Sequence, residues 1–438
     1  MFPNKGSSLA DGIIYCIILL MTAGIIFVFS ASANIGSDID LRNFYHTTWM
    51  RQILYFPLAV VCLLAASKID YRKFSLEKGL FKSPVFYLLI IAVILLAFIL
   101  SQRIFAFAPK IVPMINKHYR WIKIPLGPAT TSFQPSELAK WATVIFLAGI
   151  SVKLGNKMQL FKKSFVPICA VIAVEAGLIV VEDLGTAIFI AILSFVMLAA
   201  GGARWRHLLI PVPFAAAAIF IILILYPHRM QRIVSFLNPS ELADSSNYQA
   251  NQSLIALGSG GLFGKGLGRG ICKYGHLPED TTDFIFAIVG EEFGFVGTTT
   301  IIAIFMVFVW LGLLVVKRCT DSFGKLLATG IVLTIGLQAA INIGVVTVVL
   351  PTKGIPLPFV SAGGTSMLLS AAAVGILINI AKQIDRKQVE IQPLSEIKQH
   401  SDVEEYVQTT VEPASPSAWQ GESDTEPTIE SMEQYKND

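Results

Sequence analysis

Apolar residues in this chain occur in long unbroken runs, not in alternating or one-sided patterns. Runs of about 17 to 25 such residues have the length a helix needs to cross a bilayer. They fall near residues 11–32, 52–67, 84–101, 136–152, 165–182, 184–200, 207–227, 283–316, 323–346 and 361–381. The pattern predicts an all-α integral membrane protein: a bundle of ten transmembrane helices, with a large loop between helices 7 and 8 and both termini on one side. The first run follows Lys5 and precedes Ala31-Ser32-Ala33, which imitates a signal-peptide cleavage site. Its apolar stretch exceeds a usual signal-peptide core, so it is read as a retained helix.

Composition agrees with this reading. Of 438 residues, 54% are hydrophobic and 15% charged, with a mean hydropathy of +0.64, far more apolar than a soluble domain. Charge then sets orientation. The segments 68–83, 153–164, 201–206 and 317–325 hold 14 Lys and Arg in 43 positions, and such dense basic loops belong to the cytoplasm. Both termini are therefore expected inside, and the long loops 102–135 and 228–282 outside. From residue 388 onward the chain carries 12 acidic and 2 basic residues, which predicts a disordered acidic cytoplasmic tail, 388–438, beside a membrane domain, 1–387.

Several chemistries are disfavoured. Only Cys272 of the five cysteines falls in an exterior loop, so no exterior disulfide is expected. No Cys or His spacing matches a zinc site. The absence of a long internal repeat disfavours inverted-repeat transporters, and no nucleic-acid partner is expected.

Four segments carry candidate chemistry. In GHLPEDTTDFIFAIVGEEFGFVG (275–297), Glu279, Asp280, Asp283, Glu291 and Glu292 crowd the start of an apolar helix, where carboxylates are costly to desolvate. Asp283 alone would serve as an N-cap; five acids point to an outward-facing polar site. Gly290, Gly294 and Gly297 share roughly one face, which is expected to expose the Glu291-Glu292 pair to a neighbour or a cavity. In NYQANQSLIALGSGGLFGKGLGRG (247–270) a nucleotide-binding loop fails, because Gly266 follows Lys265 where Ser or Thr is required. The glycines suit a chain passing close to a bulky ligand or lying along the membrane surface, with Tyr248, Gln249, Gln252 and Ser253 at helical spacing before them.

In YRWIKIPLGPATTSFQPSELAKWATVIF (119–146), Pro135 suits a first helical turn, with Gln134 or Ser136 near the cap and Glu137 in the first turn. Lys140 then lies one turn inside, either snorkelling or reaching a carboxylate or phosphate. Glu175 sits near mid-span, as a hydrogen-bonded helix contact or a functional group, and Asp183 is placed to cap the sixth helix. In VVLPTKGIPLPFVSAGGTSML (348–368), prolines and paired glycines interrupt the apolar run, and non-helical backbone at that depth needs protein or a watery cavity around it. Lys353, its only charge, is a candidate anion ligand.

Together RWIKIPLG...FQPSELAK, EDLGTA, YQANQSLIALGSGGLFGKGLG, LPEDTTDFIFAIVGEEFG and NIGVVTVVLPTKGIPLPFVSAGGTS resemble the SEDS family (shape, elongation, division and sporulation), over roughly residues 10 to 385 and most closely its FtsW branch. LPTKG also fits the sporulation relative SpoVE, whereas RodA usually differs there. The sequence departs from the family pattern at Ala362, where Tyr is common, and at Glu182, where Pro often precedes DLG. The resemblance implies a peptidoglycan glycosyltransferase of the bacterial cytoplasmic (inner) membrane that polymerises lipid II on the outer face. It further implies work at the division septum with a class B penicillin-binding protein transpeptidase and other division proteins. It implies Asp283 as the essential carboxylate, and it puts Arg120, Gln134, Glu137, Lys140, Gln249, Gln252, Glu279, Lys353 and Ser361 in substrate-binding motifs.

The chemistry asks for the same parts. A sugar hydroxyl that attacks an anomeric carbon needs a base, and a departing diphosphate needs cations, for which Arg120, Lys140 and Lys353 are available. No cofactor is diagnosed: the acidic cluster has the donors for Mg²⁺ or Mn²⁺ but no spacing that selects either. The competing classes are a flippase for the lipid-linked precursor, compatible with Lys140 and Glu175 inside the membrane, and a scaffold for the division machinery.

Overall fold

The computed structural model describes residues 8–32, 47–77, 79–105, 108–115, 118–126, 129–237, 245–274, 277 and 279–385. The tail expected at 388–438 lies outside the described residues. The first three spans are α1 (Leu9–Ser32), α2 (Thr48–Lys68) and α3 (Pro84–Phe105). A hairpin of β1 (Ile122–Leu126) and β2 (Ala129–Phe133) follows, paired antiparallel from Ile122↔Phe133 to Leu126↔Ala129. The helical reading did not anticipate it; β-branched Ile122, Ile124, Thr130 and Thr131 favour extended backbone on either side of Gly127-Pro128.

Next come α4 (Pro135–Leu154), α5 (Val166–Val180), α6 (Leu184–Ala200), α7 (Trp205–Leu209) and α8 (Pro211–Leu225), the last two forming one span. Two further helices, α9 (Pro227–Leu237) and α10 (Ser245–Ser259), occupy the long loop before α11 (Ile285–Arg318), α12 (Ser322–Val346) and α13 (Gly364–Asp385). This is a multi-pass helical membrane protein. Among the described residues nine helical segments are long and apolar enough to cross a bilayer, and the sixth expected span, α6, is shorter. Its 17 residues make about 26 Å of helix, short of the ~30 Å hydrocarbon core. Asp183 starts α6 as expected, accepting hydrogen bonds from the Thr186 amide at 3.1 Å and the Thr186 hydroxyl at 2.9 Å, and the Gly201-Gly202 turn ends it.

The centre of the bundle is α4, α12 and α13. In the span of α4 67% of the apolar stretch is buried, against 11% in the span formed by α7 and α8, which therefore lies at the periphery. α4 packs on α3, α6 and α12, α1 runs along α11, and α11 also packs on α12.

α11 is broken one third of the way along, at Gly294 (φ 64°, ψ −157°). The glycine-rich segment 260–266 fills the break: the Lys265 and Gly266 amides donate to the Glu291 and Glu292 carbonyls, and the Phe295 and Val296 amides donate back to Gly261 and Leu262. At Gly264 (φ 80°) a β-carbon would lie 2.1 Å from the Glu292 carbonyl oxygen. The glycines of 260–266 thus serve a backbone-to-backbone splint, a role that the sequence did not suggest.

Candidate functional site

Alternating spans bring one set of connections to one end of the bundle: the start of α2, the segment before β1, the α5–α6 turn, α9, the lead into α11, and the α12–α13 loop. A cavity of about 1100 Å³ opens among them. Eight of the residues singled out from sequence line it: Arg120, Gln134, Glu137, Lys140, Gln249, Glu279, Asp283 and Lys353.

Asp283 stands just before α11. Its carbonyl accepts a 2.8 Å hydrogen bond from the Asn342 amide group, which also donates to the Ile355 carbonyl at 2.8 Å, so one side chain of α12 ties the acid to the loop carrying Lys353. The preceding residues are held the same way: the Ser361 hydroxyl donates to the Thr282 carbonyl at 2.6 Å and the Ala362 amide to the Thr281 carbonyl at 2.9 Å. Gly354 lies against the carboxylate. A β-carbon there would come within 3.1 Å of the Asp283 Oδ2 and 3.6 Å of an Arg120 Nη1.

Among the described residues no Lys or Arg comes within 4.0 Å of the Asp283 carboxylate. The group is reachable from the cavity yet walled by protein. Burial first, then the nearby Glu279, push it up to about 7, against the pull of Arg120 and Arg232. A carboxylate so tuned exchanges a proton near neutrality, as a general base requires. Glu279 adjoins it with a left-handed backbone (φ 58°), a conformation uncommon outside glycine.

Cations surround this acid at longer range. Arg120 Nη1 lies 3.7 Å from an Asp183 carboxylate oxygen. Lys353 faces the same cavity, and burial draws its pKa below the usual lysine value while Asp183 opposes the drop. Lys140 is 1% exposed. It reaches a carboxylate rather than snorkelling, donating to Glu137 at 2.8 Å and to the Gln338 side-chain oxygen at 2.9 Å. Glu137 also accepts from the Ser366 hydroxyl at 3.0 Å.

Other sequence readings land elsewhere. Ser361 is buried behind the cavity wall, where its hydroxyl accepts from the Leu357 amide. Gln249 lines the cavity and Gln252, on the same helix α10, does not. Glu291 and Glu292 are sealed in the protein, not exposed to a cavity. Glu291 pairs with Lys265 at 2.7 Å and accepts from the Ile271 and Cys272 amides. Glu292 pairs with Lys273 at 2.9 Å and accepts from the Ser30 hydroxyl at 2.7 Å. Glu175 is a helix contact, fully buried and 2.5 Å from the Thr143 hydroxyl.

Five further wall residues went unnoticed in the sequence: Arg51, Arg103, His118, Arg232 and Gln338. The signal for Arg232 was present, since HRMQR in α9 is too polar to span a membrane and gives an amphipathic helix. Gln338 has no such signal, being one polar residue in an apolar run. Among the described residues no three acidic, His or Cys side chains converge on a point.

Known proteins share both the sequence and this architecture. The family model described as "Cell cycle protein", covering FtsW, RodA and SpoVE, matches residues 11–386. The chain is 34% identical over 377 residues to the probable peptidoglycan glycosyltransferase FtsW of Coxiella burnetii, covering 85% of this chain and 96% of that one. It is 35% identical over 367 residues to stage V sporulation protein E of Bacillus subtilis, covering 83% and 94%. Its fold is similar to that of the rod shape determining protein RodA of Thermus thermophilus, with a TM-score of 0.57 at 22% identity over 87% of this chain and 98% of that one. A chain from a peptidoglycan synthase complex, solved for its coordination of polymerization and crosslinking, is similar with a TM-score of 0.63 at 21% identity, over 85% and 97%. A family model that matches nearly the whole membrane region and curated relatives 34–35% identical over most of their length agree: this chain belongs to the FtsW, RodA and SpoVE family of cell cycle proteins.

Proposed function

We propose that this protein is a peptidoglycan glycosyltransferase that polymerises lipid II into glycan strands at the outer face of the bacterial cytoplasmic membrane, in septal wall synthesis. The observation that carries the reading is geometric: the Asp283 carboxylate faces a large cation-lined cavity at one end of a membrane bundle, with no Lys or Arg within 4.0 Å among the described residues. In the reaction, Asp283 takes the proton of an acceptor sugar hydroxyl as its oxygen attacks the anomeric carbon of the donor from the face opposite the leaving group. The bond to polyprenyl diphosphate breaks, and the diphosphate leaves with the electron pair. Such a leaving group needs little acid assistance, so one base and a cationic cradle are the chief demands on the protein. Arg120 and Lys353 supply the cradle, and Lys140, held by Glu137 and Gln338, shapes its inner wall.

Among the described residues there is no sizeable folded exterior domain for cross-linking, so the reading assigns that step to a class B penicillin-binding protein transpeptidase, alongside other division proteins. The flippase reading draws no support from Lys140 and Glu175, because each is engaged inside the bundle.

The test is reconstitution of the purified protein with lipid II, with and without a cognate penicillin-binding protein. Polymeric glycan from wild type and none from Asp283→Ala supports the polymerase. Lipid moved between leaflets without polymer would replace it with the flippase.

A further inference from the structure

The turn between α5 and α6 is gripped by three arginines from distant parts of the chain. Arg229 of α9 donates to the Val180 carbonyl at 2.8 Å and the Val181 carbonyl at 2.6 Å. Arg120, from the segment before β1, donates to the Glu182 carbonyl at 3.0 Å and lies 3.7 Å from the Asp183 carboxylate. Arg103, at the end of α3, meets the Glu182 carboxylate at 2.8 Å. Tyr226 ties the outer two together, with the Arg103 and Arg229 guanidiniums 5.7 and 4.9 Å from its ring centre.

Glu182 is the acid that closes this hub. It is 4% exposed, and its second carboxylate oxygen accepts from the Tyr119 amide at 2.9 Å with His118 Nδ1 at 3.4 Å. The residue after Tyr119 is Arg120, so one carboxylate pins the backbone directly before the arginine while its own carbonyl holds that arginine's Nε. Burial would raise the Glu182 carboxyl, but His118, Arg103 and the Tyr119 amide bring it down to about 2, so it stays charged throughout the physiological range. One helical turn beyond Arg229, Arg232 opens into the cavity, so the same turn orients a second cation toward Asp283. This is also the position where the chain departs from the Pro-Asp-Leu-Gly pattern of the family it resembles.

We infer that Glu182 is a positioning residue: by holding Arg103 and the Tyr119 amide it fixes Arg120 between Asp183 and Asp283, and so sets the charge felt by the base. Four charged groups face Asp283: Glu279, Arg120, Asp183 and Arg232. Arg120 favours the ionised carboxylate, so loosening it must raise the pH at which Asp283 gives up its proton. The consequence for rate rests on the polymerase reading; the consequence for titration does not.

The experiment is an infrared pH titration of the purified, substrate-free protein, in which the carboxyl band lost in Asp283→Asn reports Asp283. It is run for wild type, Glu182→Gln and Glu182→Asp, with polymerisation of lipid II measured against pH on the same samples. Glu182→Gln keeps the shape and an acceptor for the Tyr119 amide but loses the charge that holds Arg103. The expected result is a titration midpoint higher by about one unit in Glu182→Gln, with partial return in Glu182→Asp. The acid limb of the rate profile should move with it, and kcat should fall by about fivefold at pH 7 and about tenfold at pH 6 and below. An unmoved midpoint in well-folded Glu182→Gln overturns the inference, as does a fall in kcat at every pH with the limb unmoved. If Glu182→Gln does not yield folded protein, Arg103→Gln breaks the same pair from the other side and must raise the midpoint likewise; a midpoint at the wild-type value overturns the inference. Wild-type protein that titrates as expected but makes no polymer would sink the polymerase reading and leave the positioning role standing.

Discussion

Asp283 and Glu292 stand nine residues apart in one acidic stretch, yet the fold uses them in opposite ways. Glu292 is 1% exposed, bonded to Ser30 of α1 and paired with Lys273, itself 3% exposed. Glu291 beside it is satisfied by Lys265 and two amides. Asp283 has no Lys or Arg within 4.0 Å among the described residues and faces a cavity in which two of the cations are already engaged: Arg120 on Asp183, Lys140 on Glu137. A buried carboxylate with a matched cation is a structural tie whose charge is fixed. One left without a close counterion keeps a proton equilibrium near neutrality, and that is the property chemistry can use.

The sharpest way to break this comparison is to remove each acid in turn. Asp283→Ala should fold and insert normally, because it opens no packed core, and should lose polymerisation by at least about 100-fold; Asp283→Glu, with its carboxylate displaced by about an ångström, should lose on the order of 100-fold. Lipid II polymerisation by protein of unchanged melting temperature is the measurement. Near-wild-type polymer from Asp283→Ala would end the distinction between the two acids.

Glu292→Ala and Lys273→Ala should act on stability instead. Each leaves a buried charge unpaired, at a cost of about 3–5 kcal/mol, and each should lower the melting temperature and the yield of folded protein. The double replacement by apolar residues of similar volume should recover much of the loss. Full stability in either single variant would show that the pair is not the tie described here.

A smaller change probes the space around the base. Gly354→Ala places a methyl group 3.1 Å from the Asp283 carboxylate, tighter than ordinary contact, so the acid must shift. We expect normal folding and kcat lower by about tenfold, since displacements well below 1 Å already weaken catalysis. Unchanged kcat would mean the carboxylate moves freely and is not held for its task.

The smallest effect concerns pH and stability. The Asp283 carboxyl ordinarily ionises at 3.8 and is held near 7 in the fold. Below about pH 4 both folded and unfolded chains are protonated there. Between about 4 and 7 the folded protein keeps a proton that the unfolded chain has lost, so stability falls as pH rises, reaching its floor above about 7. Asp283→Asn carries no charge at any of these values. It should therefore melt higher than wild type at pH 8, with the difference closing by pH 4. A variant that melts lower at pH 8 would show that the ionised carboxylate is stabilised by the fold rather than strained in it.

Much of this molecule was legible from the order of its residues. The order of the apolar helices follows from run length, because a bilayer imposes a fixed thickness on any helix that crosses it, although the sixth expected span, α6, is shorter than that thickness asks. The cap at Asp183, the helix start at Pro135 and the helical spacing of Tyr248 to Ser253 follow from local backbone chemistry, and all three appear in the fold. The residues of the cavity wall were legible where their motifs were dense in polar groups, as with Arg120, Glu279, Asp283 and Lys353.

What only the tertiary structure decided is which charges meet. Lys273 and Ser30 are 243 positions apart, and Lys140 and Gln338 are 198 apart, so no local pattern could assign Glu292 to the first pair or bring Gln338 to Lys140, whereas Glu137 and Lys140 already stand three apart on one helix. The glycine-rich segment likewise looked free to approach a ligand, and became a splint only because Gly294 breaks α11 beside it and leaves backbone groups that must be satisfied. Local sequence dictates where a helix begins and how deep it runs; whether an acid inside it becomes a tie or a base depends on the cation that packing delivers to it, and that is a property of the whole bundle.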